Sequence, residues 1–299
     1  MLILDGATVR KEIFERLKPR IEQLKGRLKR PPGLAVVLVG HNPASEIYVR
    51  GKIKACGELG IHSEKITPPE SIATDELVRI IDELNRRAEI DGILIQMPLP
   101  KQVDSRRVLE VVPADKDCDG FHPLNVGRLV AGRPAPRACT PAGIIEMLKY
   151  YGIAMAGRKA VVVGRSDIVG KPMALMLLQE NATVTICHSR TANLAEECRR
   201  ADILVAAIGR AAAITAEYIA PGATVIDVGQ NRIDNPYEAG RLGRAEEFAR
   251  KGYALVGDVH PLDVVQRATA YTPVPGGVGP LTIAMLMSNT VGLAEVHER

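Results

Sequence analysis

The sequence predicts an α/β protein built from two domains, each with a mostly parallel sheet. Short apolar runs alternate with amphipathic helical segments, which is the pattern of βαβ units. The chain has 299 residues, of which 46% are hydrophobic and 25% are charged, so it can bury two ordinary cores. The alternation starts again near residues 138–156, and we place a domain boundary there.

The predicted first domain covers residues 1–140. A buried strand at Leu34–Gly40 precedes a helix over Ser45–Gly60, and a helix over Asp75–Ala88 precedes a strand at Asp91–Pro100. Just before the first of these helices, Asn42 is a good N-cap and Pro43 suits the first helical position, where its missing N–H is not needed.

The predicted second domain covers residues 141–280 and has the rhythm of a Rossmann-like dinucleotide-binding domain. A helix begins with Thr140 as N-cap and ends at Gly152. The segments that follow are strands at Lys159–Gly164, Thr183–Cys187, Ile203–Gly209 and Thr224–Gly229, with a helix over Gly170–Gln179. A C-terminal helix, about residues 281–299, is expected to pack back on the first domain, because the glycine-rich loop before it can reverse the chain.

Composition excludes several classes of protein. The net charge of +4 is small and no Lys/Arg cluster is interleaved with aromatics, so no nucleic-acid partner is expected. No apolar run approaches the ~20 residues of a membrane span, and Asp5 comes too early for a signal peptide. The five cysteines contain no Cys-x-x-Cys pair, which favours a reducing cytosol and a cytoplasmic protein.

No metal site is predicted. The run "DKDCDG" (Asp115–Gly120) begins like an EF-hand loop, but the twelfth position is Val126 instead of the glutamate that clamps calcium. We interpret the run as a tight turn. Either its three aspartates are all solvated, which spacing alone favours, or Asp119, next to the glycine, points into a cleft.

The helix over Ser45–Gly60 carries two lysines in different surroundings. Its apolar stripe, at about 100° per residue, is formed by Val49, Ile53 and Cys56. Lys54 lies opposite this stripe, whereas Lys52 lies beside it, on the same face as Tyr48. Lys52 is either a lysine whose stem covers the edge of the core, which the helix alone favours, or a lysine of a functional site.

Gln96 interrupts the apolar strand "ILIQMPLP", which ends at two prolines. A buried glutamine needs hydrogen-bond partners, so it satisfies backbone groups at the sheet end or holds a site lysine. The carboxyl ends of parallel strands are where ligands bind, which keeps the second interpretation open.

The turn "VVVGRSDIVGKP" follows a strand and opens a helix, as a pyrophosphate-binding turn does. Its spacing is G-x5-G, which alone is a weak signal. The next strand ends in "CHSRT", without the acid that binds the ribose of NAD, and Ser189, Arg190 and Arg165 would favour a 2′-phosphate. NADP is therefore favoured over NAD, unless the two arginines are plain surface cations.

Several segments together resemble a known family. They are "YVRGK", "DGILIQMPLP", "DKDCDGFHPLNVGRL", "CTPAGI", "VVVGRSDIVGKP", "IDVGQNR" and "YTPVPGGVGPLT", in this order and over nearly the whole chain. The chain resembles the bifunctional methylenetetrahydrofolate dehydrogenase/methenyltetrahydrofolate cyclohydrolase family. The "PVPGGVGP" and "GILIQMPLP" segments carry most of the specificity.

The resemblance implies a homodimer of two-domain subunits, with tetrahydrofolate derivatives as substrates in a cleft between domains and NADP as the cofactor. Lys52 would be the catalytic lysine, with Tyr48 stacking on the folate, Gln96 holding the lysine and Asp119 anchoring the pterin. The other implied folate contacts are Met97, Pro98, Leu99, Pro275, Gly276 and Gly277. The implied NADP contacts are Gly164, Arg165, Ser166, Ser189, Arg190 and Gln230.

The implied chemistry has two steps. Hydride passes from 5,10-methylenetetrahydrofolate to NADP+, and water then opens the methenyl product to 10-formyltetrahydrofolate. Burial and the cationic substrate would both favour the neutral amine of Lys52, which can relay protons.

Two departures from the family pattern stand out. Gln230 follows "DVG" where isoleucine is usual, which makes the surface there more polar. The stretch over residues 238–259 is longer than usual, and we interpret it as a surface insertion. Two rivals remain from the residues alone: a shikimate- or glutamate-semialdehyde-type NADP oxidoreductase, and a non-enzymatic dinucleotide-sensing regulator.

Overall fold

The structure is a computed structural model that describes residues 1–298, without the side chains of residues 43 and 44. By its internal contacts the chain divides into two units. The three-strand unit comprises Lys11–Cys139 and the residues from Ile283 onward. The six-strand unit comprises Met1–Arg10 and Thr140–Thr282. Each unit is α/β with a parallel sheet, which confirms the predicted fold class.

The elements of the first half of the chain are β1 (Leu2–Ile3), α1 (Gly6–Leu28), β2 (Gly33–Val37), α2 (Pro43–Leu59), β3 (His62–Ile66), α3 (Thr74–Arg86), β4 (Gly92–Ile95), α4 (Ser105–Val111), α5 (Pro123–Val130) and α6 (Cys139–Tyr150). Those of the second half are β5 (Lys159–Val163), α7 (Gly170–Gln179), β6 (Thr183–Cys187), α8 (Leu194–Cys198), β7 (Ile203–Ala206), β8 (Thr224–Asp227), β9 (Asn231–Ile233), α9 (Pro236–Arg241), α10 (Ala245–Lys251), β10 (Ala254–Val256), α11 (Pro261–Arg267), β11 (Ala270–Tyr271) and α12 (Gly279–His297).

The sheet of the three-strand unit has the order β3-β2-β4, and all its strands are parallel. Every residue of β2 is buried, as expected for a central parallel strand covered on both faces. The helices present apolar stripes to this core. On α3 the buried residues are Leu77, Ile81 and Leu84, at the spacing of one helix face.

The C-terminal helix α12 packs within the three-strand unit, as predicted. Arg20 of α1 forms a two-pronged ion pair with Glu295, with N–O distances of 2.9 and 2.8 Å. The ring Nδ1 of His297 lies 3.1 Å from the buried carboxylate of Asp91, which also accepts hydrogen bonds from Arg30. These contacts secure the end of the chain to the first sheet.

The sheet of the six-strand unit has the order β1-β11-β8-β7-β5-β6, and each neighbouring pair is parallel. The outermost strand β1 comes from the N-terminus: Leu2 pairs with Ala270 and Ile3 with Tyr271. The predicted first domain began at residue 1, but this pairing puts residues 1–10 with the second sheet. Two exposed residues carry no periodicity from which this strand could be predicted.

The segment predicted as a surface insertion has a folded core. Strands β9 and β10 pair antiparallel and frame helices α9 and α10. A separate buried cluster lies between them, formed by Ile233, Ala239, Leu242, Ala254 and Val256. The segment is therefore a small βααβ module and not a loose loop.

Candidate active site

Helix α2 begins and ends where the sequence predicts. The side chain of Asn42 accepts the N–H of Ser45 at 3.1 Å, and Gly60 ends the helix at a φ of 71°. Lys52 is only 9% exposed, whereas Lys54 is exposed. The difference that periodicity indicated between the two lysines is present in the structure.

The Lys52 ammonium meets the end of strand β4. Its Nζ donates to Gln96 Oε1 at 3.0 Å, and Gln96 Nε2 donates to the carbonyl of Met97 at 2.7 Å. The second bond fixes which end of the Gln96 amide faces the lysine. Tyr48 lies one helical turn before Lys52, with 44% of its surface exposed, so an aromatic face is accessible there.

Asp117 and Asp119 have different tasks in the turn after residue 115. The Asp117 carboxylate accepts the N–H groups of Gly120 and His122, at 3.0 and 2.8 Å, and a side-chain N–H of Asn125 at 2.9 Å. Asp117 therefore builds the turn. Within residues 1–298, no backbone N–H donates to the Asp119 carboxylate; the thiol of Cys139 donates to it at 3.9 Å.

Asp119 is electrostatically coupled to Lys52. Burial raises the pKa of Asp119 to about 6, and the nearby positive charge of Lys52 opposes this rise. The structure thus brings together Lys52, Gln96 and Asp119, which we call the lysine site. Met97, Pro98 and Leu99 continue the chain directly from Gln96 and are partly or fully exposed.

Close backbone packing and Asn289 hold the turn that carries Asp119. Gly120 has a φ of 74°, and a Cβ there would lie 2.5 Å from the carbonyl carbon of Arg137. Asn289 of α12 donates to the carbonyls of Cys118 and Arg137, at 2.8 and 2.9 Å. Sequence reasoning missed Asn289, because its partners are backbone groups far along the chain.

The predicted dinucleotide contacts all follow carboxyl ends of strands in the six-strand sheet. Gly164 to Ser166 follow β5, Ser189 and Arg190 follow β6, and Gln230 follows β8. Because β8, β7, β5 and β6 are neighbours and parallel, these residues share one edge of the sheet, which we call the dinucleotide edge. Arg165, Ser166, Ser189, Arg190 and Gln230 are exposed there.

The glycine turn at this edge leaves no space for side chains. Gly164 has a φ of 138°, and a Cβ would lie 2.2 Å from the carbonyl oxygen of Ala207. A Cβ on Gly170 would lie 2.3 Å from the Gly164 oxygen. The Ser166 hydroxyl accepts the N–H groups of Val169 and Gly170, at 3.2 and 3.3 Å, so it also caps the start of α7.

Two buried acids near this edge were not predicted. The Asp258 carboxylate accepts three consecutive backbone N–H groups after β7, from Ile208, Gly209 and Arg210, at 2.6 to 2.9 Å. Asp227, at the end of β8, accepts the N–H groups of Asp258 and Val259, at 2.8 and 2.9 Å, and burial raises its pKa to about 7. These acids fix the loop after β7. Only the nearby "GDV" triplet could have suggested them.

Helix α6 starts at Cys139, before its predicted N-cap Thr140. Thr140 is not its N-cap but lies inside the first turn, where its hydroxyl lies 2.8 Å from that of Thr282.

Among residues 1–298 no group of His, Cys, Asp and Glu could hold a metal ion. Within the same range, no helix combines the length and apolarity that crossing a membrane requires.

Two family profiles match the chain. The profile described as the catalytic domain of tetrahydrofolate dehydrogenase/cyclohydrolase matches residues 4–119. The profile described as its NAD(P)-binding domain matches residues 138–298. The chain is 65% identical to "Bifunctional protein FolD" of Solibacter usitatus (strain Ellin6076), over 98% of this chain and 97% of that one.

Solved structures agree with the profiles. The bifunctional FolD methylenetetrahydrofolate dehydrogenase/cyclohydrolase of Campylobacter jejuni superposes with a TM-score of 0.90 at 41% identity, covering 99% of each chain. The Trypanosoma brucei dehydrogenase-cyclohydrolase, complexed with NADP cofactor and an inhibitor, has a TM-score of 0.89 at 36% identity, covering 99% of this chain and 98% of that one. The chain therefore belongs to the tetrahydrofolate dehydrogenase/cyclohydrolase family.

Proposed function

We propose that Lys52, held by Gln96, relays the protons of the cyclohydrolase step. The enzyme is a bifunctional dehydrogenase and cyclohydrolase: it oxidises 5,10-methylenetetrahydrofolate to the 5,10-methenyl form and hydrolyses this to 10-formyltetrahydrofolate. One observation carries the proposal. A lysine that is only 9% exposed donates to a glutamine at a strand end, with 3.0 Å between Nζ and Oε1.

The chemistry requires a base beside a cation. The methenyl group carries a delocalised positive charge, and its hydrolysis needs a group that takes a proton from the attacking water. A neutral amine that donates one N–H to Gln96 keeps its lone pair for a proton of the attacking water. Lys52 then returns this proton to N5 as the C–N5 bond breaks. The second proton of the water leaves as the hydroxyl becomes the formyl oxygen, so the methenyl cation and water give neutral 10-formyltetrahydrofolate and one released proton.

The remaining residues of the three-strand unit would bind and orient the folate. The exposed ring of Tyr48 offers a stacking face, and Asp119 offers a carboxylate for the N–H groups of the pterin. Met97, Pro98 and Leu99 follow Gln96 directly and would line the same side. We assign Pro275, Gly276 and Gly277 to folate binding as well, from the family motif that they complete.

The dinucleotide edge fits NADP. Gly164 gives the sharp turn that a pyrophosphate needs, Ser166 supports the start of α7, and no acid follows β6. Arg165, Ser189 and Arg190 would hold the 2′-phosphate, with Gln230 beside them. Bound NADP+ supplies the hydride acceptor of the first step.

We further infer a cytoplasmic homodimer. All five cysteines are free and buried, which suits a reducing compartment. The dimer rests on the resemblance of the motifs, and light scattering on the purified protein tests it: twice the mass of 32.3 kDa is expected.

A single assay tests the function. The protein is mixed with NADP+ and methylenetetrahydrofolate, and absorbance is followed for NADPH and for the methenyl form. We expect NADPH to accumulate while the methenyl form rises and then decays. An oxidoreductase of the shikimate type would produce neither signal, and a dinucleotide-sensing regulator would bind NADP+ without turnover. Either result would contradict the proposal.

A further inference from the structure

The loop from Val274 to Gly277, which we call the proline–glycine loop, is held from two other parts of the six-strand unit. The Gly276 carbonyl accepts the N–H of Gly6 at 2.9 Å. The Val274 carbonyl accepts a hydrogen bond from Arg244 Nη2 at 2.7 Å. A third bond, from Gly277 N–H to the Pro273 carbonyl at 2.8 Å, closes the loop on itself. The position of the loop therefore depends on Gly6 and Arg244.

Arg244 has a fixed backbone. It lies between α9 and α10, where its N–H donates to the Ala239 carbonyl at 2.7 Å and its carbonyl accepts the N–H of Phe248 at 3.0 Å. Its side chain is half-buried. Since the backbone is already ordered, less conformational entropy is lost when the guanidinium binds a carbonyl.

The βααβ module that carries Arg244 is itself anchored. Its buried cluster packs against Ala211 and Ala212, in the connection after β7. The N–H of Ala212 donates to the Gly257 carbonyl at 3.0 Å, at the end of β10. The module is thus a rigid support from which Arg244 extends.

The contact between Arg244 and Val274 borders a cavity of about 160 Å³. Thr272, Pro273 and the buried acid Asp227 also line it. A charge-assisted hydrogen bond in such a partly desolvated place is stronger than a neutral one at the surface. Together with the bond from Gly6, this bond fixes where the Val274 carbonyl and the residues after it lie.

We propose that Arg244 is a positioning residue for folate binding. Through the Val274 carbonyl it holds Pro275, Gly276 and Gly277 in their binding position. The inference rests on the proposed function, in which these three residues contact the folate. The segment over residues 238–259 would then have a role. It would be a structural module that sets the affinity for the folate substrate and not for NADP+.

Arg244→Met tests this, because methionine keeps an apolar stem and loses the donors. We expect the KM for methylenetetrahydrofolate to rise about tenfold. The KM for NADP+ should change by less than about twofold, which is the size of effect expected from a substitution that does not touch the NADP+ site. Arg244→Lys retains a cationic donor and should recover most of the folate affinity. Arg250→Met, at an exposed arginine of α10, is the matched control and should match the parent.

Three results would overturn the inference: an unchanged folate KM in Arg244→Met, an equal rise of both KM values, or no recovery in Arg244→Lys. If Arg244→Met does not fold, as judged by its thermal unfolding, Arg244→Lys and Arg244→Gln carry the comparison. The parent is assayed first. A parent without folate turnover refutes the proposed function, whereas an active parent with an insensitive Arg244→Met refutes only the role of Arg244.

Discussion

The lysine site and the dinucleotide edge are built in opposite ways. At the lysine site the side chains hold one another: the buried Lys52 donates to Gln96, and the half-buried Gln96 donates to the backbone. At the dinucleotide edge the backbone is fixed by Gly164 and by the Asp258 carboxylate, while the side chains assigned to NADP are exposed.

This difference follows from the two tasks. Proton transfer requires one nitrogen in one place with its solvation controlled, so the side chain must be held before the substrate arrives. A dinucleotide is a large, charged ligand that is bound through many weaker contacts, and backbone N–H groups at a helix start provide much of its binding. Substitutions should therefore cost far more at the lysine site than among the exposed residues of the edge.

The comparison is tested most strongly by Lys52→Ala. We expect cyclohydrolase turnover to fall on the order of 10³-fold, because the proton-relaying group is removed. NADP+ affinity, measured by isothermal titration calorimetry, should stay at the parental value. Lys54→Ala, two residues away on the exposed face, is the matched control. A Lys52→Ala variant that hydrolyses methenyltetrahydrofolate at the parental rate would show that Lys52 is not the base.

Gln96→Met should have the second-largest effect. The amine of Lys52 stays but loses the acceptor that directs it, so we expect cyclohydrolase kcat to fall about thirtyfold. Because Gln96 acts through Lys52, the KM for the methenyl substrate should change less than kcat. An unaltered kcat would mean that the bond of 3.0 Å between Lys52 and Gln96 is only structural.

Asp119 gives the lysine site a pH dependence. Its pKa of about 6 means that it becomes protonated as the pH falls through 6, and it then loses the negative charge that would bind the pterin. We expect kcat/KM for the methenyl substrate to decrease about tenfold per unit as the pH falls below 6. Asp119→Asn should lower kcat/KM above pH 6 and remove this decrease; if the variant keeps the decrease, the titrating group is not Asp119.

The same pKa has a consequence for stability with a definite sign. The ordinary value for an aspartate is 3.8, so between about pH 4 and 6 the folded protein holds a proton on Asp119 that the unfolded chain has released. This group therefore lowers the free energy of unfolding as the pH rises through that window. In urea titrations across that range, Asp119→Asn should lose less stability with rising pH than the parent does.

Arg165→Ala should have the smallest effect, since an exposed cation is removed from an otherwise intact turn. We expect the ratio of kcat/KM for NADP+ to that for NAD+ to fall roughly fivefold. Arg158→Ala, at the opposite end of β5, should leave the ratio unchanged. If the parent uses both coenzymes equally well, the assignment of Arg165 to a 2′-phosphate is wrong.

Periodicity and motif resemblance, unlike composition, singled out the three residues that the structure brings together at the lysine site. The separation of Lys52 from Lys54 follows from 3.6 residues per turn, and the strand that delivers Gln96 is marked by its apolar run and its prolines. The choice of Asp119 among three aspartates could not be made from spacing. It depends on Asp117 using its oxygens for the backbone of the turn.

The features that the sequence did not reveal are those made by distant pairing. Strand β1 is two residues long and is defined only by its partner β11. Asp258 accepts the N–H of Arg210, which is 48 residues away along the chain. Asn289 donates to the carbonyl of Cys118, which is 171 residues away. The fold of the segment interpreted as a surface insertion was not predicted either, because strands β9 and β10 are only three residues long and stand beside charged helices.

The pairing of β1 with β11 also governs how the protein can be made. Residues 2–3 are translated long before their partners at 270–271. At ordinary rates of synthesis the N-terminal strand waits roughly ten to fifty seconds for its place in the sheet. The three-strand unit is likewise incomplete until α12 has been translated. The six-strand sheet is therefore completed only after residues 270–271 have been made, and the three-strand unit only after α12. Expressing residues 1–140 or 141–299 alone would leave each fragment without part of its unit.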